Sequence, residues 1–268
     1  MNSEQRLSAG IRAAEMERAE SAFPSQWYEL GGETHFWFQW RLAVFLNQLA
    51  CLPVSVDRPL RCLDIGCGHG ILRRQLERHT AWQIDGTDLN ADILQYQSGF
   101  RGDTLLYDIL EKRPDLCEAY DGLFLFDVIE HIADTSTFLD AALYHLKPKG
   151  WLFINVPAIE PLYSVYDAVA GHIRRYDKDL LLRTVADQPA EVKDMRYWGL
   201  SMVPILIARK LVLQVKKMDA AATLQTGFQP KFAFINNLFR IMMRIETTIL
   251  TNPFVGTSLI AAVQKSDH

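Results

Sequence analysis

The stretch that decides the fold runs from residue 63 to residue 70 and reads Leu63-Asp64-Ile65-Gly66-Cys67-Gly68-His69-Gly70. An apolar strand is predicted over 60–65 and a helix over 71–79, so the glycines lie in a loop between strand and helix. A side chain at these glycines would hold a ligand away from the backbone. The loop is therefore expected to turn its N–H groups toward a polar ligand at the helix N-terminus.

A second acidic residue completes this pattern. A strand is predicted over 81–88 and ends at Asp88, which follows Gly68 by 20 residues. A carboxylate at that point can accept both hydroxyls of an adenosine ribose. The alternative is that residues 66–70 form only a tight turn and that Asp88 only caps the following helix, near residue 91. The agreement of loop, spacing and strand order favours the ligand site.

Strands and helices continue to alternate beyond this unit. Strands that are apolar on both faces and alternate with helices predict a parallel sheet covered on both sides. The C-terminal third adds two long apolar helices, which would form a helical cap inserted before the last strand. The further predicted strands are 104–107, 122–126, 151–156, 190–197 and 256–264, and the further predicted helices are 41–52, 135–146, 178–185, 204–217 and 232–250.

These elements divide the chain into four parts. We expect an N-terminal helical and aromatic lid over 1–52, a core over 53–197, the helical cap over 198–252 and the final strand of the core over 253–268.

The composition narrows the class of protein. The chain has 268 residues, 49% of them hydrophobic, and a formal net charge of -4, which does not suit a nucleic-acid-binding protein. Its cysteines have neither CxxC nor zinc-site spacing, which predicts reduced thiols and a cytoplasmic protein. We find no secretory signal and no apolar stretch of the roughly 18 residues that span a bilayer. The four cysteines are Cys51, Cys62, Cys67 and Cys117.

The glycine spacing separates two classes of nucleotide-binding loop. Dinucleotide enzymes carry GxGxxG, whereas here the spacing is GxGxG with Asp64 two residues before the first glycine. This loop resembles motif I of the class I methyltransferases that depend on S-adenosylmethionine (SAM). Residues 120–131 resemble the fourth-strand motif of that family, and residues 146–152 resemble its turn before strand five. The resemblance covers about residues 60–157.

The resemblance implies a fold, a cofactor and a set of contacts. The fold is a Rossmann-like α/β sheet of seven mostly parallel strands with helices on both faces and the last strand antiparallel. The cofactor is SAM, with S-adenosylhomocysteine as the product. Asp88 is expected at the ribose and Asp108 near the adenine amine. The implied cofactor-binding residues are Asp64, Gly66, Cys67, Gly68, Gly70, Asp88, Leu89, Asp108, Ile109, Phe126, Asp127 and Arg41.

Three further segments resemble a bacterial subfamily that methylates small molecules and glycan or lipid precursors. They are His35-Phe36-Trp37-Phe38 with Arg41, Gly171-His172-Ile173-Arg174-Arg175-Tyr176, and Gly256-Thr257-Ser258-Leu259. The subfamily usually has a second arginine beside Arg41, where this chain has Leu42.

Two histidines are the candidate catalytic bases. His131 follows the fourth strand, beside the expected position of the methyl group, and His172 lies after the fifth strand. A histidine there can titrate near neutral pH and take a proton from a hydroxyl or an amine. The alternative is that His131 hydrogen-bonds the cofactor or starts the next helix, and that His172 has an orienting or structural role.

Other side chains are candidates for the acceptor pocket. Arg174 and Arg175, with Tyr176, could hold a carboxylate or a phosphate, and the alternative is a pair of surface ion pairs. Trp37 could form a pocket wall or part of the core. Asp127 and Glu130 could form a metal site with His131, because this stretch resembles that of quinone-precursor methyltransferases, which can use a divalent metal. Paired acids more often order a loop, so we predict no metal.

The predicted function is methyl transfer from SAM to an oxygen or nitrogen of a small molecule by in-line displacement. The acceptor could be anionic or lipid-linked, and a basic edge at Arg209, Lys210, Lys216 and Lys217 could touch a membrane, although a packed cap helix is the preferred interpretation. A non-catalytic SAM-binding or scaffold protein is the alternative function. The glycine spacing argues against an NAD-dependent oxidoreductase. The sequence specifies neither the acceptor nor the oligomeric state.

Overall fold

The computed structural model describes residues 32–92, 98–216 and 233–267. The first 31 residues of the predicted lid, Lys217, and most of the helix predicted to begin near residue 91 lie outside these ranges.

Seven strands in the described ranges form one sheet with the order β3-β2-β1-β4-β5-β7-β6. Strands β1 to β5 pair in parallel, and β7 is antiparallel to both β5 and β6. The predicted seven-stranded sheet with an antiparallel last strand is confirmed. The strands are β1 (Arg61–Ile65), β2 (Gln83–Asp88), β3 (Thr104–Leu106), β4 (Tyr120–Phe126), β5 (Leu146–Pro157), β6 (Ala190–Trp198) and β7 (Ser258–Lys265).

Helices lie between most of these strands, and two of them, α6 (Val203–Lys216) and α7 (Ala233–Ile249), lie between β6 and β7 in the chain. The first helix begins at Phe36 rather than at residue 41, because the His35 side chain accepts a hydrogen bond from the Trp37 N–H and caps it. The helices are α1 (Phe36–Leu49), α2 (Ile71–His79), α3 (Thr135–His145), α4 (Val165–Val169), α5 (Lys178–Ala186), α6 (Val203–Lys216) and α7 (Ala233–Ile249).

Each face of the sheet has its own hydrophobic core. Successive residues of β4 alternate between them: Leu123 and Leu125 belong to the core that contains Leu139 of α3, whereas Phe124 belongs to the core that contains Phe45 of α1. These side chains are almost fully buried, and each contributes about 1.5–3 kcal/mol of burial free energy. Helices on both faces of the sheet are therefore confirmed.

Helix α7 packs on α1, where the rings of Phe239 and Phe36 have centroids 4.7 Å apart. Within the described ranges, every helix falls short of the length and apolar character needed to cross a membrane.

Candidate active site

The glycine loop between β1 and α2 is held tightly against its neighbours. Gly66, Gly68 and Gly70 all have φ values between 48° and 72°, a region that side chains disfavour. A Cβ atom on Gly66 would lie 2.9 Å from Cγ2 of Val128, and one on Gly70 would lie 2.5 Å from the Phe100 ring. The glycines are thus required by backbone conformation and by protein packing.

Four of the loop N–H groups, those of Gly66, Cys67, Gly68 and Gly70, donate to acceptors within the protein, which differs from our expectation. The N–H groups of Gly66 and Cys67 donate to the Thr87 carbonyl at 2.8 and 3.0 Å, and the Gly70 N–H donates to the Cys67 carbonyl at 2.9 Å. The first two bonds fasten the loop to β2, the neighbour of β1, and the third closes a turn within the loop. The loop is therefore expected to contribute to the ligand site mainly through its shape, because its glycines let a ligand come close to the backbone.

Asp88 joins the end of β2 to this loop. Its Oδ2 accepts the Gly68 N–H at 2.9 Å, and its Oδ1 accepts the Asn90 N–H at 3.0 Å. The second bond is the local turn contact that the alternative interpretation predicted, whereas the first bond brings the carboxylate to the glycine loop. Asp88 is half-buried, and each carboxylate oxygen keeps a further lone pair for a ligand hydroxyl.

Asp108 follows β3, the neighbour of β2. Its Oδ1 accepts the Leu110 N–H at 2.9 Å and caps a short 3-10 turn, and Ile109 is buried in the core. Leu89 directly follows Asp88 and is half-buried. The adenine contact at Asp108 and the contacts at Ile109 and Leu89 stay predictions.

Asp64 is buried directly before the loop. Burial raises the pKa of Asp64 to about 7, although the charges of Arg73 and Arg41 act in the opposite direction. This carboxyl group therefore titrates near neutral pH.

Arg41 connects α1 to the end of β4. Its Nη1 lies 2.5 Å from Oδ2 of Asp127, and its guanidinium lies 5.2 Å from the ring centroids of both Phe38 and Phe126. Arg41 is almost fully buried. This pair fixes the residue that follows β4, and it places Phe126 beside the same charged group.

Asn155 of β5 extends this network. Its Nδ2 donates to Oδ1 of Asp127 at 2.7 Å, and its Oδ1 accepts the Trp198 Nε1–H at 2.9 Å. The Trp37 ring lies 4.6 Å from the Trp198 ring. Trp37 therefore packs against Trp198, the hydrogen-bond partner of Asn155, and its predicted contact with the acceptor stays a prediction.

The two candidate bases lie side by side. The rings of His131 and His172 have centroids 4.9 Å apart in a T-shaped arrangement. Burial, followed by the neighbouring His172, lowers the pKa of His131 to about 4. His131 is thus neutral at pH 7.

Glu130 completes this cluster. One ligand atom each from Glu130, His131 and His172 lie within 4.8 Å of one another. Glu130 is fully buried, and its carboxylate oxygens have no hydrogen-bond partner among the described residues. Burial and then the charge of Asp127 raise the pKa of Glu130 well above its usual range. The structure therefore groups Glu130 and His131 with His172, whereas Asp127 is bonded to Arg41 and Asn155.

His172 has a buried carboxylate partner. Its Nδ1 lies 3.1 Å from Oδ1 of Asp167, and Nη2 of Arg175 lies 2.7 Å from the same oxygen. Arg175 also donates to the Ala158 carbonyl at 2.9 Å. Burial acts to raise the pKa of Asp167, but the His172 hydrogen bond and the Arg175 charge outweigh it, so this pKa lies below its usual value.

The other two predicted anion-binding residues hold the same segment in place. Arg174 donates to the Ile132 and Ala133 carbonyls at 3.3 and 3.1 Å, and the Tyr176 hydroxyl donates to the Ile129 carbonyl at 3.2 Å. Tyr176 is fully buried. Burial and these partners place Arg175 and Tyr176 inside the protein, and Arg174 is the half-exposed member of the three. Their contact with a substrate stays a prediction.

Sequence reasoning did not find three of the residues that shape this site. Asn155 had a signal, because it is a polar residue within the apolar strand β5. Asp167 and Trp198 act through partners that only the fold brings near them. Asp167 also accepts the Ser164 N–H at 2.9 Å, a capping contact that its local sequence could have suggested.

A seven-stranded Rossmann-like sheet with a GxGxG loop and an acid at the end of β2 defines the class I SAM-dependent methyltransferases. A family model described as a methyltransferase domain matches residues 37–210 of this chain. Because this match covers more than half of the chain, the protein belongs to the methyltransferase domain family, and the family supports SAM as the cofactor.

Curated relatives carry the resemblance further. The ubiquinone biosynthesis O-methyltransferase of Xylella fastidiosa is 28% identical over 162 residues, which is 56% of this chain and 61% of that protein. The chain spans about three fifths or less of the first curated relatives that it matches.

Solved structures show the same fold. Phosphoethanolamine N-methyltransferase 2 of Haemonchus contortus, in complex with SAM, has a TM-score of 0.52 at 18% identity and covers 82% of this chain and 52% of that one. Geranyl diphosphate C-methyltransferase of Streptomyces coelicolor has a TM-score of 0.53 at 14% identity, with 84% and 77% covered. The same fold therefore serves enzymes named for different acceptor atoms.

Proposed function

We propose that this protein transfers the methyl group of SAM to a hydroxyl or amine of a small molecule and releases S-adenosylhomocysteine. The observation that carries this proposal is the position of the Asp88 carboxylate, which lies 2.9 Å from the Gly68 N–H of the glycine loop. A carboxylate at the mouth of such a loop suits a ribose, because an ionised carboxylate accepts but does not donate hydrogen bonds.

Methyl transfer from SAM needs no covalent bond between the protein and the methyl group. The bound cofactor supplies the electrophilic methyl group, while protein side chains position the acceptor and remove its proton. Asp88 would hold the ribose, and the Arg41–Asp127 pair would support the cofactor beside the end of β4. The histidine pair at this same edge of the sheet supplies the proton acceptor.

The names of the curated relatives favour an oxygen acceptor. A hydroxyl must lose a proton during attack, and His131 and His172 are the side chains that we propose for this task. An anionic acceptor is the finer part of the proposal, supported by the half-exposed Arg174.

The basic residues of α6 have partners within the protein. Arg209 lies over the Tyr166 ring and Lys210 donates to the Pro161 carbonyl, which favours a packed cap helix rather than a free basic edge.

A direct test is methyl transfer from radiolabelled SAM to three soluble probes: catechol, 3,4-dihydroxybenzoate and benzylamine. We expect label in a hydroxyl-bearing probe, with 3,4-dihydroxybenzoate preferred over catechol if the acceptor is anionic. Mass spectrometry of the product identifies the methylated atom. Tight SAM binding without transfer to any hydroxyl or amine probe would favour the non-catalytic alternative.

A further inference from the structure

His172 and Asp167 form a buried pair at the edge of the site. Asp167 belongs to α4 and is fully buried, whereas the His172 side chain is 13% exposed. The pair is held next to the end of β4, because the Ile173 N–H donates to the Glu130 carbonyl at 2.9 Å. Val128, which would contact a Cβ atom on Gly66, lies at the start of the same turn. His172 therefore lies beside the turn after β4, and the glycine loop packs against the start of that same turn.

We infer that His172 is the residue that takes the proton from the methyl acceptor, and that Asp167 is its positioning residue. This inference rests on the proposed function. It also assigns Arg175 to the support of Asp167 rather than to the substrate.

The tautomer of His172 follows from its partner. An ionised carboxylate offers only acceptor atoms, so Nδ1 of His172 must carry the hydrogen that Oδ1 of Asp167 accepts. In this tautomer Nε2 holds the lone pair that can accept a proton. Arg175, with its Nε 2.8 Å and its Nη2 2.7 Å from the same carboxylate oxygen, keeps Asp167 ionised.

His131 is less suited to this task. Its pKa of about 4 makes it a weak proton acceptor at neutral pH, and burial raises the pKa of its neighbour Glu130. Asp167 is the carboxylate that hydrogen-bonds the His172 ring. The other titratable groups around this pair are Tyr163, whose hydroxyl donates to the His172 carbonyl, and Tyr166 and Arg209, which adjoin Asp167.

The proton and charge balance is simple. The acceptor hydroxyl gives its proton to Nε2 of His172 as its oxygen bonds to the methyl carbon, and the carbon–sulfur bond breaks with its electron pair on sulfur. The positive charge moves from the sulfonium to the imidazolium, which the Asp167 carboxylate stabilises. Release of that proton to solvent restores the starting tautomer.

The first test reads the tautomer and needs no acceptor. Nitrogen-15 NMR of the full-length chain with S-adenosylhomocysteine distinguishes ring nitrogens that carry hydrogen from those that do not. We expect the wild-type His172 ring, assigned with His172→Gln, to be protonated at Nδ1 and bare at Nε2. A ring bare at Nδ1, or an unchanged pattern in Asp167→Asn, would overturn the inference.

The second test compares the two histidines in the transfer assay with the best hydroxyl probe. We expect His172→Gln to lower kcat by about 10²- to 10⁴-fold, the usual range for a general base, and the matched His131→Gln to lower it by less than about tenfold. The reverse ranking would overturn the assignment. If the wild-type chain transfers no methyl group at all, the proposed function fails, whereas the NMR result still decides the role of Asp167.

The third test separates positioning from stability. Asp167→Asn should lower kcat by about tenfold or more and move the acid limb of the rate to lower pH, because the imidazolium loses its carboxylate. The control is Ser164→Ala, which removes the Oγ bond of 3.1 Å to the same carboxylate and leaves His172 untouched. An acid limb that stays in place, with the same loss in both variants, would contradict a positioning role.

Discussion

At the residue scale, Asp64 belongs to the glycine-loop motif and is also a buried carboxyl group whose pKa is raised. Its place two residues before Gly66 could be found in the sequence, but its complete burial could not. That burial arises from tertiary packing, and it raises the pKa of Asp64 to about 7, whereas an unfolded aspartate has a pKa near 3.9.

This difference predicts a pH effect on stability. The folded state binds the Asp64 proton more tightly than the unfolded state, so the Asp64 contribution is fully present below about pH 4 and is lost as the pH rises through about 7. Asp64→Asn removes this dependence. From pH 5 to pH 8 we expect the wild-type melting temperature to fall relative to that of the variant, by about 2–4 °C for each kcal/mol.

Differential scanning fluorimetry measures the melting temperature at each pH, with Asp92→Asn as the control because Asp92 is exposed. Equal pH dependence of Asp64→Asn and wild type would show that the buried carboxyl does not titrate in this window.

At the element scale, the alternation of strand, loop and helix was predictable because it is written in local patterns. The observed bounds differ from the predicted ones by a few residues, as at α1, which begins earlier than predicted because His35 caps it. The contacts that join elements were not predictable in this way. Glu246 of α7 and Gly199 after β6 lie 47 positions apart, and only the completed fold brings them together.

Glu246 fastens the cap helix α7 to the core. Its buried carboxylate accepts the N–H groups of Gly199, Leu200 and Ser201 at 2.6, 3.0 and 3.1 Å, and the Ser201 hydroxyl at 3.0 Å. In Glu246→Gln the amide nitrogen would face donors that remain buried, so we expect a loss of about 1–3 kcal/mol in the free energy of unfolding.

Denaturant unfolding measures this loss, and amide exchange at residues 199–201 should become faster. Thr248→Ala, an exposed change on the same helix, is the matched control. Unchanged exchange at these amides would mean that Glu246 does not hold α7.

At the scale of the whole molecule, the sheet places residues that are distant in sequence around one edge. The loop after β1, Asp88 at the end of β2 and Asp127 after β4 were all expected there, because parallel strands end at a common edge. The Arg41–Asp127 pair, 86 positions apart, and the Asp167–His172 pair depend on how α1 and α4 pack, which local sequence patterns do not encode.

The central claim is that the glycine loop and the Asp88 carboxylate bind the nucleoside of SAM. Isothermal titration of the full chain with SAM tests it most directly, with Asp88→Ala as the variant and Asp92→Ala as the matched control on the same segment. We predict micromolar affinity for the wild type and the control, and at least about tenfold weaker binding, or about 1.4 kcal/mol, for Asp88→Ala. Equal affinity of Asp88→Ala and wild type, or absence of SAM binding by the wild type, would contradict it.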